Sequence, residues 1–158
     1  MALLADHFAV GNDDALSILV YDGTGSLTHV VRQEPQPTPI AEAHYRALQE
    51  TLDDTPPERR PLVEEAFARV PRVHTTFPAF ESVRIDQLGY VWVEEYRPPG
   101  VAGPAWNVFD TDGFLAGRLE PPASFRMLDI GEEYALGVFR DALDIEFIQM
   151  YRLERGGR

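Results

Sequence analysis

Apolar and polar positions alternate over short distances through most of this chain, and turn-forming residues punctuate the alternation. The strings "SLTHVVR", "YVWVEEY", "FLAGRL", "YALGVF" and "IEFIQMYRL" are short and rich in β-branched, aromatic and leucine residues. Such texture predicts strands, because these side chains suit a pleated, half-buried surface. Turn positions sort the strands into three groups: 7–10, 15–21 and 26–32; then 80–85, 90–96, 106–109 and 114–119; then 125–130, 134–140 and 145–153.

The pattern changes between the first two groups. "QEPQPTPI" is proline-rich and extended, and Thr38 then reads as an N-cap with Pro39 at the first helical position. Ala41, Tyr45, Leu48 and Leu52 follow at helical spacing. Thr55 and Glu58 have the spacing of a capping box for a second helix, with Leu62, Val63, Ala66, Phe67 and Val70 expected to point inward and Pro71 to end it.

Comparing the chain with itself strengthens the strand reading. "VYDGTGSL" aligns without a gap on "VFDTDGFL", placing Asp22 and Asp110 88 residues apart, and "RIDQLGYVWV" repeats the Asp-x-x-Gly at Asp86 and Gly89. Tyr90 and Tyr134 occupy matching places 44 residues apart. A period of ~40–45 residues with four short strands per unit is the pattern of β-propeller blades. The longer interval is one blade plus the helical insertion. The expected fold is therefore all-β: a partial β-propeller of roughly two and a half four-stranded antiparallel blades, with a two-helix insertion between blades. Residues 1–32 form a partial blade (strands two to four), 33–79 the linker and insertion, and 80–122 a complete blade. Residues 123–153 form a closing blade lacking its fourth strand, and 154–158 a tail.

"FPAFESVRIDQLGYVWVEEY" (77–96), "WNVFDTDGFLAGRLEPP" (106–122) and "DIEFIQMYRLER" (144–155) resemble the six-bladed β-propeller families of bacteria, an uncharacterised group named for its fold. The resemblance implies the C-terminal part of a longer ring, and export, to the periplasm or beyond, of a full-length form. It says little about activity, since propellers host many functions. "MALLADHFAV" lacks a basic region followed by an apolar run, so no signal peptide is expected in this chain.

Composition narrows the function classes. A formal net charge of −12 argues against nucleic acid, whose phosphates need a cationic surface. All 14 basic residues are arginine, which rules out a P-loop lysine. Cysteine is absent, removing disulfides and thiolate chemistry, and no apolar run approaches the ~20 residues of a membrane span.

Candidate chemistry is sparse. His7, His29, His44 and His74 show no metal-ligand spacing, and "DTDG" at 110–113 has Pro121 where a calcium loop needs its twelfth-position glutamate. Glu94 and Glu95 are adjacent on a strand and point to opposite faces. In a propeller the turns at Asp22, Asp86 and Asp110 lie opposite the usual ligand face. The loops at 11–14, 97–105, 120–125 and 141–144, with the insertion, lie on it. Arginine and aromatic anchors near that face are the binding candidates: Arg97, Tyr96, Trp106 and Arg84. Trp92, in mid-strand, is expected to pack between blades. No catalytic residue, metal ligand or cofactor is expected. The sequence points to a non-enzymatic scaffold for an unknown small molecule or protein, with open blade edges offering a route to self-association. The alternative is a fragment of a metal-dependent six-bladed propeller hydrolase or lactonase.

Overall fold

The computed structural model describes residues 2–4, 7–12, 16–34, 38–40, 46, 50, 52–69, 76–98, 101 and 103–155. The chain divides into two compact units, Met1–Pro35 with Pro78–Arg97 and Val101–Arg158, and Gln36–Phe77 with Pro98–Gly100.

The first unit is built from three antiparallel sheets that follow one another along the chain. The first sheet runs β1 (Ala2–Leu4), β2 (His7–Asn12), β3 (Ser17–Asp22) and β4 (Leu27–Arg32). The middle sheet runs β5 (Ser82–Ile85), β6 (Val91–Glu94), β7 (Trp106–Phe109) and β8 (Leu115–Leu119). The last sheet holds β9 (Phe125–Ile130), β10 (Tyr134–Arg140) and β11 (Glu146–Arg152), with β10 central. An all-β unit was expected, but β1 was not: Ala2, Leu3 and Leu4 pair with Ala9, Phe8 and His7, so the first sheet has four strands where the sequence suggested three. Three residues are too short for alternation to register.

One turn chemistry recurs through these sheets. The Oδ1 of Asp22 accepts the N–H groups of Thr24 (2.9 Å) and Ser26 (3.0 Å). Asp86 does the same for Leu88 and Tyr90, and Asp110 for Asp112 and Phe114. Each aspartate thereby satisfies two donors that a tight hairpin would leave unpaired. The third residue beyond the aspartate takes positive φ: 85° at Gly25, 82° at Gly89 and 86° at Gly113. A fourth copy stands at Asp141, which accepts Leu143 and Ile145 N–H, with Asp144 at φ 65° in the glycine's place. The 141–144 segment, read from sequence as an open loop, is this same turn.

Strand alternation gives the middle sheet two apolar faces. Val91, Val93, Ile85 and Phe109 pack with Ala9, Ile18, Val20 and Val31 of the first sheet. On the other face Trp92 and Trp106 pack with Phe125, Met127, Ile130 and Ala135 of the last sheet. Trp92 and Trp106 are 3% and 2% exposed, and burying a large apolar side chain is worth roughly 1.5–3 kcal/mol. Trp92 does pack between sheets. These two interfaces hold the unit together.

In the second unit Pro39 bridges Thr76, and Phe77 N–H donates to the Thr38 carbonyl. The helix α1 spans Arg60–Arg69. It starts later than the Thr55–Glu58 capping box suggested, because the Pro56 carbonyl accepts both Arg59 and Arg60 N–H and spends the first turn on a tight bend. Leu62 is 70% exposed rather than turned inward. The side chains of Ala66, Phe67 and Val70, and the helix expected from Pro39 to Leu52 for most of its length, lie outside the described residues.

Candidate functional site

The four residues singled out from sequence separate into two pairs. Tyr96 and Arg97 follow β6 at the end of the middle sheet, whereas Arg84 and Trp106 lie in its interface with the last sheet. They do not converge on one pocket.

Arg84 acts across that interface. Its Nη1 donates to the Leu128 carbonyl at 3.0 Å and its Nη2 to the Met127 carbonyl at 3.2 Å, both on β9. The guanidinium carbon also lies 5.9 Å from the centroid of the Trp106 ring, within cation–π range. Both terminal nitrogens of Arg84 are thus engaged across the interface, while its Nε is buried without a hydrogen-bond partner among the described residues. Trp106 is almost wholly buried, and its Nε1 has no hydrogen-bond partner among the described residues.

Around Arg97 the sheet register assembles a charged cluster. Glu95 Oε1 accepts from Arg118 Nε at 2.8 Å and from Asn107 Nδ2 at 3.2 Å, while its Oε2 accepts from Arg118 Nη2 at 3.0 Å. Arg118 also donates to Glu120. Arg97 Nη2 stands 3.7 Å from both Glu95 and Glu120, and its Nε is buried without a hydrogen-bond partner among the described residues. Hydrogen bonding and charge from Arg118 hold the Glu95 carboxyl below its ordinary range, and Glu95 and Glu120 in turn push the Arg118 guanidinium upward. Burial, with a smaller push from Glu81, raises the Tyr96 hydroxyl. A general acid or base needs a pKa near the working pH. Glu95 is shifted away from it, so this cluster fastens β6, β7 and β8 at one end and does not suit proton transfer.

A second node was legible only as a turn. Asp86, 1% exposed, accepts Trp92 Nε1 at 2.9 Å besides its two turn N–H groups, and Arg155 Nη2 lies 2.8 Å from its Oδ2. Arg155 also donates to the Gly131 and Glu132 carbonyls, and its guanidinium carbon sits 4.9 Å from the Tyr90 ring centroid. A residue assigned to the tail thus ties the β9–β10 turn to the middle sheet.

Among the described residues no three histidine, aspartate or glutamate side chains converge as a metal ion would require. No helix among them is long and apolar enough to cross a membrane. The chain matches no family model, and it has no match among curated proteins or solved structures.

The last sheet carries exposed apolar side chains on its edge strand. β11 pairs with β10 along one edge only, and Ile148 and Met150 are 70% and 68% exposed. They share the face of the last sheet that turns away from the middle sheet with Leu128, 39% exposed. Beside them a groove of about 400 Å³ is lined by Ser124, Arg126, Val138, Arg140, Asp141 and Glu146.

Proposed function

We propose that this chain is a non-enzymatic, protein-binding scaffold, and that its three sheets are successive blades of a β-propeller of the six-bladed kind. The blade reading is supported by sheets that follow chain order, by the repeated Asp turn, and by the two covered faces of the middle sheet. The binding reading rests on one observation: the outward face of the last sheet presents Ile148 and Met150 on an edge strand. Contiguous exposed apolar surface marks interaction sites, and an unpaired strand edge supplies backbone donors and acceptors for a polypeptide. The charged clusters at Glu95 and Asp86 are spent on joining strands and sheets.

The test is site-specific photo-crosslinking in cells expressing the chain, with the probe at position 148 or, as a control, at Thr28 in the first sheet. Polypeptide adducts at position 148 that exceed those at position 28 are expected. No polypeptide adduct of any kind at position 148 overturns the reading.

A further inference from the structure

His29 stands on β4 directly opposite Val20 of β3. Directly paired residues share a face of the sheet, so its ring turns with Val20 and Val31 toward the middle sheet. There it meets the turn between β7 and β8. A Cβ at Gly113 would lie 3.9 Å from His29 Cδ2, the ring atom bonded to Nε2. Nε2 itself is buried without a hydrogen-bond partner among the described residues, while the residue as a whole is half-buried. The imidazole thus closes the rim of the apolar interface that Val20, Val31, Val91 and Phe109 form.

The contacts on the other side of the ring assign its tautomer. Thr28 has one hydroxyl proton and donates it to the Val20 carbonyl at 2.9 Å. The 3.2 Å contact between Thr28 Oγ1 and His29 Nδ1 therefore takes its proton from the ring, so Nδ1 donates and Nε2 carries the lone pair. The next proton must go to Nε2, where it creates a charge and an unmet donor inside the rim. The surrounding groups pull both ways. Asp110 and Asp112 of the turn attract an imidazolium, and His7, which alternation from Ala9 turns to the same side, repels it. Asp110 Oδ1 is already held by the Asp112 and Phe114 N–H groups. Burial, then His7, outweighs the two aspartates and holds the ring below its ordinary value of 6.5.

We infer that His29 is a pH-sensitive latch between the first and middle sheets: neutral, it seals the rim against the 110–113 turn, and a proton taken from solvent at Nε2 loosens that contact. The latch is independent of the scaffold reading above. Opening returns the imidazolium to water, so the open state binds the proton more tightly than the closed one. Opening therefore becomes more frequent as pH falls below 6.5, and levels off once His29 is charged in the closed state as well. Carboxylates titrate lower, which leaves this range to histidine.

NMR on the purified chain tests this between about pH 5 and 8. His29→Asn removes one imidazole signal and so assigns it, and the asparagine amide can still donate to Thr28 but takes no proton. Wild-type His29 is expected to carry its proton on Nδ1 at neutral pH and to titrate below 6.5. Amide exchange, corrected for its intrinsic pH dependence, should show protection lost in β4 and the 110–113 turn below that value, while β10 keeps its own. His29→Asn should hold its β4 protection across the range. Asp112→Asn, at an exposed position, removes an attracting charge and should shift the His29 midpoint further down. A neutral ring protonated on Nε2, a midpoint at or above 6.5, or β4 protection that ignores pH overturns the inference. So does the same loss in His29→Asn, an unmoved midpoint in Asp112→Asn, or a loss spread evenly over all three sheets. Should His29→Asn fail to fold, through-bond assignment of the wild-type ring, its titration and the exchange profile decide the matter.

Discussion

Arg155 Nη2 lies 2.8 Å from Asp86 Oδ2, joining the end of the described chain to a carboxylate fully buried in the middle sheet. The same carboxylate accepts the Trp92 indole N–H, so one arginine stabilises the charge on which a core tryptophan is anchored. Removing one member of a buried pair leaves the other charged and uncompensated, which costs ~3–5 kcal/mol. Arg155→Ala is therefore expected to destabilise the chain by about 3 kcal/mol, the low end of that range, since the arginine side chain is itself 22% exposed. Urea unfolding followed by tryptophan fluorescence measures the loss. An unchanged midpoint would show that Asp86 is satisfied without Arg155.

Arg84 gives a separate prediction because its acceptors are carbonyls rather than a carboxylate. Arg84→Ala deletes two charge-assisted donors between the middle and last sheets and removes the cation over the Trp106 ring. A hydrogen bond from a charged group contributes about 1.5–3 kcal/mol. A loss of about 2 kcal/mol is expected, and Arg84→Lys should recover only part of it, because a single ammonium does not reproduce the planar fork. Hydrogen exchange of the β9 amides locates the effect. Protection lost uniformly over all three sheets, rather than first in β9, would contradict a local role for Arg84 at this interface.

How far the sequence reveals this arrangement depends on the distance over which each cause acts. The turns at Asp22, Asp86 and Asp110 are legible because aspartate and glycine stand three residues apart and cause the turn locally. The Asp141 turn escapes because Asp144 adopts the glycine's φ, a conformation that aspartate tolerates but does not advertise. Trp92 is legible as core from its place in mid-strand. Arg155 is not, because its bond to Asp86 is set by how the last sheet packs on the middle one and leaves no periodic trace. The same holds for Glu95 and Arg118, which meet only when β6, β7 and β8 are in register. Arg84 and Trp106, picked as ligand anchors, have the right chemistry for anchoring. The structure directs it at a neighbouring sheet.

Gly25 and Gly113 hold nearly the same φ in the same kind of turn, which makes them a controlled pair. A Cβ at Gly25 would meet nothing within 4 Å, so Gly25→Ala pays only the left-handed backbone strain of roughly 1–2 kcal/mol. A Cβ at Gly113 would lie 2.9 Å from the Val30 carbonyl oxygen, on a backbone strand of the first sheet. Gly113→Ala must therefore also push the first two sheets apart, and should cost more than Gly25→Ala by about 1–3 kcal/mol. Parallel urea titrations decide it, and equal losses would mean that the first and middle sheets do not approach as closely as stated.

The Glu95 carboxyl supplies a pH dependence with a defined sign. Its ordinary value is 4.5, and hydrogen bonds and charge from Arg118 depress it in the folded chain. Between those two values the unfolded chain binds more protons than the folded one, so stability rises with pH across that window. The contribution is complete above about pH 4.5 and is lost as pH falls through the depressed folded value. Solvent screens the pair, since the Glu95 and Arg118 side chains are 29% and 44% exposed, and the expected benefit over Glu95→Gln near neutral pH is about 1 kcal/mol. Unfolding midpoints of the two proteins should therefore differ near neutrality and converge in acid below the window. A difference that persists unchanged through the acid limb would mean that Glu95 contributes through packing and by accepting from Asn107 and Arg118 irrespective of its own charge.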